Sequence, residues 1–331
     1  MVSVIVPFNE RYNLLEETIN SVLRQNYKEF ELILINDNID SRIPNKIYTL
    51  VESDNRIHLI TRKTMPSGAS ACRNLGLKFS LGRYIVFLDS DDLLENFCLE
   101  VRVKKMEQSP DLDFAVFPML FFYRTAGDTT TLWNIQTEEN DLDRFLRLDA
   151  VWQTTGPIWC KEVLERLGGF NEQLNCWQDI DIHLKALFSG LKYKVFNHYR
   201  PDCFYRKVSK DTISQSNINS LEKLESRLTL CHWVLDNLGS NINRAKPMAI
   251  KIGLSAIRGG QYKFAWNFIH EMNRVFTMAE VQKLVKALFL HSIPFTRKFA
   301  HKKIIQKELG KLPPVTIGQH NLNPKEVISA T

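Results

Sequence analysis

Short apolar runs alternate with segments of helical periodicity over the first two hundred residues of the chain. Val2 to Val6 is a β-branched run, and we expect it to form a strand that ends at Pro7, which cannot donate to a ladder. Further strands are predicted at Glu31 to Ile35, Ile57 to Ile60, Tyr84 to Leu88, Asp113 to Tyr123 and Tyr193 to Phe196. Helices are predicted from Asn13, around Ile47, and at Ala69 to Phe79, Lys161 to Leu167 and Ile180 to Phe188. This alternation is typical of an α/β fold with a mostly parallel sheet flanked by helices.

The carboxy-terminal third has a helical pattern almost to its end. From about Asn217 onward the apolar positions recur at helical spacing, with breaks at Gly239, Pro247, Gly259-Gly260 and Pro294. We place a domain boundary near Ser216, so that residues 1–215 form one domain and residues 216–331 a helical region. The length of 331 residues fits this division, because domains commonly contain about 150 residues.

Polar clusters follow three of the predicted strands, at residues 8–10, 36–38 and 89–92. In open α/β sheets, ligands bind outside the carboxyl ends of the strands, so these clusters predict a nucleotide-type site. The chain has neither a GxGxxG nor a GxxxxGK[ST] motif, which excludes the usual dinucleotide fingerprint and the P-loop. The polar stretch from Thr125 to Asn140 is predicted to be a long surface loop, of the kind that often serves as a lid.

The tetrad Asp89-Ser90-Asp91-Asp92 is the most informative of these clusters. Two carboxylates that lie two residues apart at a strand end can share one hard divalent cation, and such a cation is commonly shared with substrate phosphates. The alternative is an acidic turn that caps a helix starting near Glu95. The tetrad alone leaves both interpretations open.

The net charge of +6 is concentrated in one segment. Residues 281–312 contain eight basic side chains and the single acid Glu308, a local charge of +7, and apolar residues are interleaved among them. This pattern predicts a basic amphipathic helix pair that lies on an anionic membrane surface. The alternative is a solvated face packed on the rest of the chain or on a second copy in a homodimer. Nucleic acid is not an expected partner, since no recognition motif accompanies the charge.

The cysteines and the amino terminus predict a cytosolic location. The six cysteines are widely spaced without a CxxC pair, the first residues lack a signal-peptide pattern, and no glycosylation sequon occurs. Together with the basic segment, this predicts a cytoplasmic protein that is peripheral at the inner face of the plasma membrane.

Seven short segments of the sequence carry a resemblance to a known family. Residues 68–76 and 82–92 closely resemble the G-x-x-x-A-R-N-x-G and Y-I-x-F-L-D-S-D-D stretches of family 2 glycosyltransferases. The segments 2–7, 21–25 and 31–37 resemble the same family, and residues 168–172 and 177–181 look like its G-G-F-x-E and E-D motifs. The resemblance covers roughly residues 1–215. It implies the Rossmann-like GT-A fold, a nucleotide-diphosphate-sugar donor, most often a UDP-sugar, a divalent metal (Mn²⁺ or Mg²⁺), and inversion at the anomeric carbon.

The resemblance also assigns roles to individual residues. It places nucleotide-sugar binding at Pro7, Phe8, Asn9, Glu10, Asp37, Arg73, Asp89 and Ser90. It implies that Asp91 binds the metal and that Asp179 is the catalytic base. The chemistry agrees, because a diphosphate leaving group needs cationic neutralisation and an acceptor hydroxyl needs a carboxylate that takes its proton.

Four positions depart from the family pattern. The first loop, Pro7-Phe8-Asn9, is one residue shorter than P-x-Y-N. The stretch from Asn36 to Asp40 keeps Asp37 as an aligned acid and a second acid only by a gapped alignment. Gln178 replaces the glutamate before the base, and Val208 stands where histidine is frequent. His198 and Arg206 are candidates to replace that histidine near the diphosphate, or else are ordinary residues near a strand end.

Aromatic residues flank the predicted base. Trp152, Trp159 and Trp177 could form a platform for an acceptor sugar, or they could pack in the core as most tryptophans do. Asp181 could assist Asp179, or it could interact with the dipole of its helix.

The expected function is an inverting, metal-dependent glycosyltransferase. It would move a sugar to a hydroxyl of a glycan or lipid-linked acceptor in cell-surface polysaccharide synthesis, such as that of capsule or lipopolysaccharide. A sugar-phosphate nucleotidyltransferase and a non-catalytic nucleotide- or glycan-binding module are the alternatives.

Overall fold

The computed structural model of the protein describes residues 1–38, 42–63, 67–207, 218–297 and 314–323, together with residues 301, 305, 307 and 312. The strands are β1 (Val2–Phe8), β2 (Phe30–Asn36), β3 (Ile57–Thr61), β4 (Tyr84–Phe87), β5 (Leu93–Leu94), β6 (Phe114–Val116), β7 (Met119–Phe122), β8 (Thr131–Leu132), β9 (Pro157–Cys160), β10 (Tyr193–Val195), β11 (Cys203–Arg206) and β12 (His320–Asn321). The α-helices are α1 (Tyr12–Leu23), α2 (Asn45–Ser53), α3 (Ala69–Phe79), α4 (Cys98–Gln108), α5 (Asp141–Leu146), α6 (Lys161–Arg166), α7 (Gln178–Phe188), α8 (Leu221–Leu238), α9 (Lys246–Arg258), α10 (Tyr262–Glu271) and α11 (Met278–Ser292).

A seven-stranded central sheet is formed within the described residues, in the order β10-β6-β9-β4-β1-β2-β3. β9 is antiparallel to both of its neighbours, and the other pairs are parallel. Every residue of β1 and β2 is buried, as expected for parallel strands that helices cover on both faces. The predicted α/β class with a mostly parallel sheet is therefore confirmed.

The first strand is longer than its sequence predicts. β1 continues through Pro7 to Phe8, so the expectation that it ends at Pro7 is wrong. The carbonyl of Phe8 accepts a hydrogen bond from Asp37 on the β2 side, and the adjacent Pro7 therefore faces β4. Pairing with β4 stops at Ile5, so the missing N–H of Pro7 breaks no bond of the ladder.

The apolar region from Asp113 to Tyr123 is divided between two sheets. β6 belongs to the central sheet, whereas β7 lies beyond Pro118 in a second sheet of order β12-β8-β7-β11-β5. The predicted surface loop from Thr125 to Asn140 contributes β8 to this second sheet, and β12 from the carboxy-terminal end pairs with it. This part of the loop is therefore held in place by strand pairing.

The carboxy-terminal helices α8 to α11 share one apolar core with the central sheet. One cluster of buried apolar side chains runs from Ile5 and Ile85 of the central sheet to Leu230 and Leu284 of these helices. The expected helical region is confirmed for α8 to α11, whereas residues 314–323 return to the second sheet. The boundary near residue 216 stays a prediction, because it falls in 208–217, outside the described residues.

Some sequence predictions fall on residues that are not described. These are Asp40, Val208 and, in the basic segment, Lys298, Lys302, Lys303, Glu308 and Lys311. In the part of the chain that is described, no helix is both long enough and apolar enough to cross a bilayer.

Candidate functional site

Asp37 is fixed at the carboxyl end of β2. Its backbone N–H donates to the Phe8 carbonyl at 2.9 Å, which joins the ends of β1 and β2. Its two carboxylate oxygens accept from Arg62 Nη1 at 2.5 Å and from the backbone N–H of Gly68 at 2.8 Å. Gly68 has a φ of 117°, a conformation that favours glycine, so the backbone N–H can reach the carboxylate here. The strand ends and α3 are thereby tied together.

Asp89 lies two residues beyond the end of β4. Its Oδ1 accepts a 2.6 Å hydrogen bond from Arg73 Nη2 of α3, and its Oδ2 accepts one of 3.1 Å from Gln153 Nε2. The guanidinium of Arg73 lies 5.1 Å from the ring centroid of Phe170, in the G-G-F-x-E stretch. The structure thus brings three of the resembling blocks together around one ion pair.

Asp91 is paired with a strained arginine. Glu10 and Arg11 both have positive φ, 59° and 49°, which is costly for non-glycine residues and clusters at functional sites. This backbone places Arg11 Nη1 3.2 Å from Asp91 Oδ2, and Glu10 Oε1 3.4 Å from Asn38 Nδ2. Burial and the neighbouring charge of Asp89 raise the pKa of Asp91, and Arg11 counteracts them.

Asp92 is a supporting residue. Its Oδ1 accepts a hydrogen bond from the backbone N–H of Arg206 at 2.9 Å, and its buried Oδ2 has no hydrogen-bond partner among the described residues. The Arg206 guanidinium donates to the Asp91 carbonyl at 2.7 Å and to Glu17 at 2.6 Å. α4 begins only at Cys98, so the interpretation of the tetrad as a helix cap is wrong.

Asp179 lies in the first turn of α7, close enough to the Arg73–Asp89 pair for both charges to shift its pKa. Trp177, with a φ of 60°, is the N-cap residue and turns the chain sharply into the helix. Burial raises the pKa of Asp179, the N–H of Ile180 and the guanidinium of Arg73 lower it, and the charge of Asp89 raises it. The pKa of Asp179 therefore depends on both charges of the pair, although both residues lie about 90 positions or more before it in the sequence.

Tyr205 of β11 lies near the four carboxylates of the site. Its pKa is raised by burial and then by the charges of four acids, namely Asp92, Asp89, Asp91 and Asp179. Its ring packs against Trp133, with centroids 5.2 Å apart. One phenol ring therefore lies among all four acids of the site.

The remaining predicted site residues divide into core and surface positions. Pro7 and Phe8 are buried, and the Phe8 ring packs edge-on against Tyr12, so it is not free to stack on a base. Asn9 and Glu10 are exposed, Ser90 is half-buried, and His198 is exposed in the segment after β10.

Two of the three predicted acceptor tryptophans are in the core. Trp152 and Trp159 are only 2% and 1% exposed, and Trp159 stacks on Phe114 with centroids 4.2 Å apart. Both side chains therefore pack in the core, and the expectation that they form an acceptor platform is wrong for these two. Asp181 is buried and forms a 2.8 Å ion pair with Lys185. Of the three tryptophans, Trp177 alone stays partly exposed beside Asp179.

Sequence reasoning missed four residues that contact the site, namely Arg11, Arg62, Gln153 and Tyr205. Arg11 could have been found, because it follows the first polar cluster directly. Tyr205 directly precedes Arg206, which is itself a candidate. Arg62 and Gln153 lie on segments whose pattern carries no sign of the site, and only the fold brings them to the acids.

The donor set suits a hard divalent cation that completes its shell with substrate oxygens. In the described ranges, no group of three or more His, Cys, Asp or Glu side chains forms a metal cluster. Mg²⁺ and similar ions are commonly held by one or two carboxylates together with substrate phosphates. The partly exposed carboxylate of Asp91, next to Asp89, provides such ligands.

Comparison with protein families matches residues 3–161 to the family described as glycosyl transferase family 2. An uncharacterized glycosyltransferase of Rickettsia bellii is 42% identical over 268 residues, which is 77% of this chain and 35% of that protein. The Escherichia coli UDP-Glc:alpha-D-GlcNAc-diphosphoundecaprenol beta-1,3-glucosyltransferase WfgD is 38% identical over 106 residues, which is 32% of this chain and 41% of that protein. The chain spans 17% to 35% of the length of the Rickettsia relatives.

Solved structures with a similar fold include S. aureus TarS 1-349 in complex with UDP-GlcNAc. The TM-score is 0.61 at 16% identity, over 86% of this chain and 90% of that one. The mannosyltransferase PcManGT from Pyrobaculum calidifontis, in complex with GDP-Man and Mn²⁺, gives a TM-score of 0.54 at 15% identity over 93% and 85% of the two chains. The GT-A fold that the sequence predicts is confirmed.

Proposed function

The chain belongs to glycosyl transferase family 2 through its residues 3–161, and on that premise we propose that it transfers a sugar with inversion. The donor would be a nucleotide-diphosphate sugar, and the acceptor a hydroxyl of a glycan or lipid-linked molecule. The proposal depends on one observation above all. Asp179, the predicted base, lies close enough to the Arg73–Asp89 pair, which is predicted to bind the nucleotide sugar, for both charges to shift its pKa.

The nucleotide would lie across the ends of β1, β2 and β4. Asp37, held by Arg62 and Gly68, is oriented to accept hydrogen bonds from a base. Asp89 would bind the ribose, and Arg73 is near enough to stabilise the negative charge that develops on the leaving diphosphate. We propose UDP as the nucleotide, supported by the UDP-Glc in the name of WfgD and the UDP-GlcNAc bound to TarS.

Asp179 would take the proton of the acceptor hydroxyl. Its place in the first turn of α7 favours the carboxylate through the helix dipole, and Arg73 favours it further. Burial acts in the opposite direction and makes the carboxylate a stronger base than an exposed aspartate. If the acceptor attacks from the side opposite the leaving diphosphate, a single displacement inverts the anomeric carbon.

Mn²⁺ or Mg²⁺ would be held by Asp91, with Asp89 beside it. When bound, the metal would neutralise charge on the diphosphate. Two arginines of this chain contact Asp91. Arg206 donates a hydrogen bond to the Asp91 carbonyl, and Arg11 donates one to the Asp91 carboxylate and partly neutralises its negative charge. The Mn²⁺ bound to PcManGT, a protein of the same fold, supports the proposal.

A cell-surface glycan is the proposed product, with assembly at the cytoplasmic face of the membrane. The diphosphoundecaprenol acceptor in the name of WfgD supports a lipid-linked acceptor. A surface at the end of α11 supports contact with an anionic membrane. There Phe289 and Phe295 are 64% and 96% exposed, and Lys286 and Arg297 are exposed beside them.

Calorimetry with UDP, GDP and dTDP, each with and without Mn²⁺, tests the donor site. We expect metal-dependent binding of UDP that Asp37→Asn weakens, because the variant disturbs the Arg62 and Gly68 contacts. Asp54→Asn is the matched control, since Asp54 pairs with Arg56 at the opposite end of β3. Binding of UDP without consumption of any UDP-sugar would favour a non-catalytic module.

A further inference from the structure

A buried arginine without a carboxylate partner among the described residues lies against Trp177, two residues before the proposed base. Arg227 of α8 is 5% exposed, and its Nη2 donates to the Ile218 carbonyl at 2.6 Å. Its guanidinium carbon lies 5.0 Å from the ring centroid of Trp177. Its Nε has no hydrogen-bond partner, and no carboxylate of the described residues forms an ion pair with it.

Other buried arginines of this chain have counter-ions. Arg102 pairs with Asp202 through two hydrogen bonds of 2.7 Å, and Arg144 pairs with Asp149 at 3.0 Å. A buried charge without a partner is costly, so a chain that keeps one commonly uses it to bind a ligand of opposite charge. Arg227 differs from these structural pairs in this respect.

Arg227 acts at the junction that carries the base. Trp177 is the N-cap residue of α7 and has a left-handed conformation, and Asp179 follows two residues later. The pKa of the Cys176 thiol is raised by burial, lowered by Arg227 and raised by Asp179, so both charges lie near this one side chain. The guanidinium and the base therefore both lie near Cys176, in the loop that leads into α7.

α8 holds this turn rigidly. The backbone N–H of Asn175 donates to Ser226 Oγ at 2.9 Å, and the Cys176 thiol donates to the Lys223 carbonyl at 3.4 Å. Both contacts join the loop before α7 to the first turns of α8. α8 thus places the positive charge of Arg227 on the acceptor side of the proposed active site.

We infer that Arg227, lying on Trp177, binds a phosphate or diphosphate ester group of the acceptor. This inference rests on the proposed function, because it uses Asp179 as the base that faces the acceptor hydroxyl. A guanidinium offers two parallel N–H donors that fit phosphate oxygens, and its planar face stacks on an indole. A phosphate bound there provides the counter-charge that Arg227 lacks, and it fixes the acceptor beside Asp179.

Binding of three probes to the full chain, with UDP and Mn²⁺ present at saturation, tests the inference. The probes are decyl diphosphate, glycerol 3-phosphate and decyl maltoside, followed by tryptophan fluorescence and by the unfolding temperature. We expect the wild type to prefer decyl diphosphate over the neutral maltoside. Arg227→Gln should lower the affinity for decyl diphosphate by at least about tenfold and leave UDP binding unchanged. Arg258→Gln, at an exposed arginine that ends α9, is the matched control.

The possible outcomes separate the two proposals. Equal affinity of wild type and Arg227→Gln for decyl diphosphate, or no preference over the maltoside, overturns the phosphate subsite. Absence of UDP binding by the wild type overturns the proposed function instead. Binding of glycerol 3-phosphate as well indicates a phosphorylated glycan as the source, whereas binding of decyl diphosphate alone indicates a lipid. If both Arg227→Gln and the longer Arg227→Met fail to fold, the guanidinium is a packing element and the inference is wrong.

Discussion

Arg73 Nη2 donates a 2.6 Å hydrogen bond to Asp89 Oδ1, and this pair joins α3 to the end of β4. The same two charges act in opposite directions on the pKa of Asp179, which burial raises. The ion pair is therefore part of the environment that sets the basicity of the proposed base. On the proposed function, these two residues would couple donor binding to proton removal.

Arg73→Gln should weaken donor binding and shift the pH profile of transfer. The guanidinium favours the ionised form of Asp179, so its removal raises the pKa of that carboxyl further. The acid limb of the profile of kcat should then move to higher pH, and KM for the donor should rise about tenfold or more. Arg83→Gln, at an exposed arginine over the ring of Tyr84, should change neither. An acid limb that does not move would show that Arg73 does not influence the pKa of Asp179.

Arg102→Met should destabilise the fold strongly. The substitution leaves the carboxylate of Asp202 buried without its partner, a change that commonly costs about 3–5 kcal/mol. The matched surface pair is Arg244 with Asp143, where Arg244→Met should cost at most about 1 kcal/mol. Urea denaturation of both variants measures the difference. Equal losses would show that Arg102 is not the structural anchor between α4 and β11.

Thr316→Val should loosen the return of the chain to the second sheet. Thr316 Oγ1 donates to Asn134 at 2.7 Å, and its backbone N–H donates to Asp149 at 2.6 Å. Loss of the hydroxyl should cost about 1–2 kcal/mol of the free energy of unfolding, measured by urea denaturation. Thr296→Val, at a hydroxyl that bonds only locally to carbonyls near the end of α11, is the control.

Asp149 should make the fold sensitive to acid. Burial raises its pKa, but the Thr316 N–H and the Arg144 guanidinium outweigh burial and lower it overall. A carboxyl with a lowered folded-state pKa stabilises the fold at pH values above its unfolded-state pKa of about 3.9. This contribution disappears as the pH falls through the folded-state pKa. The difference in stability between wild type and Asp149→Asn, followed by thermal unfolding, should therefore shrink below about pH 4. A difference that stays constant down to pH 2 would contradict the assignment.

Phe295→Ser should weaken binding to anionic vesicles. The side chain is 96% exposed beside Arg297, so it can enter the headgroup region while the arginine contacts anionic lipid. Sedimentation with phosphatidylglycerol vesicles at low and high salt measures the effect. Tyr123→Ser, at an exposed aromatic residue outside this surface, is the control. No sedimentation of the wild type at low salt would discard the membrane proposal.

The central sheet could be predicted because its parallel strands are continuous apolar runs, and the acids were found because they stand where those runs stop. β9 and β11 are not predicted, since Pro157–Cys160 is only four residues long and begins with a proline, and Cys203–Arg206 is short and mixed in polarity. The sequence cannot decide whether Trp159 packs in the core or stacks on a sugar, because both roles use the same residue type. Partners such as Arg62 and Gln153 meet the acids only through long-range folding, which no local pattern records.

The central claim is that Asp179 acts as the base at a donor site formed by separate residues. Asp179→Asn should bind UDP with Mn²⁺ within about twofold of the wild type, because Asp179 does not belong to the donor contacts. Its unfolding temperature at pH 7 should be unchanged or higher, since a carboxyl whose folded-state pKa is raised destabilises the fold when it is ionised.

Release of UDP from a UDP-sugar in the presence of a lipid-diphosphate acceptor, compared between wild type and Asp179→Asn, is the most direct measurement. General base catalysis commonly contributes about 10²–10⁴-fold, so the account predicts at least about a hundredfold slower release by the variant. Release at the wild-type rate by a variant that binds UDP normally would contradict it.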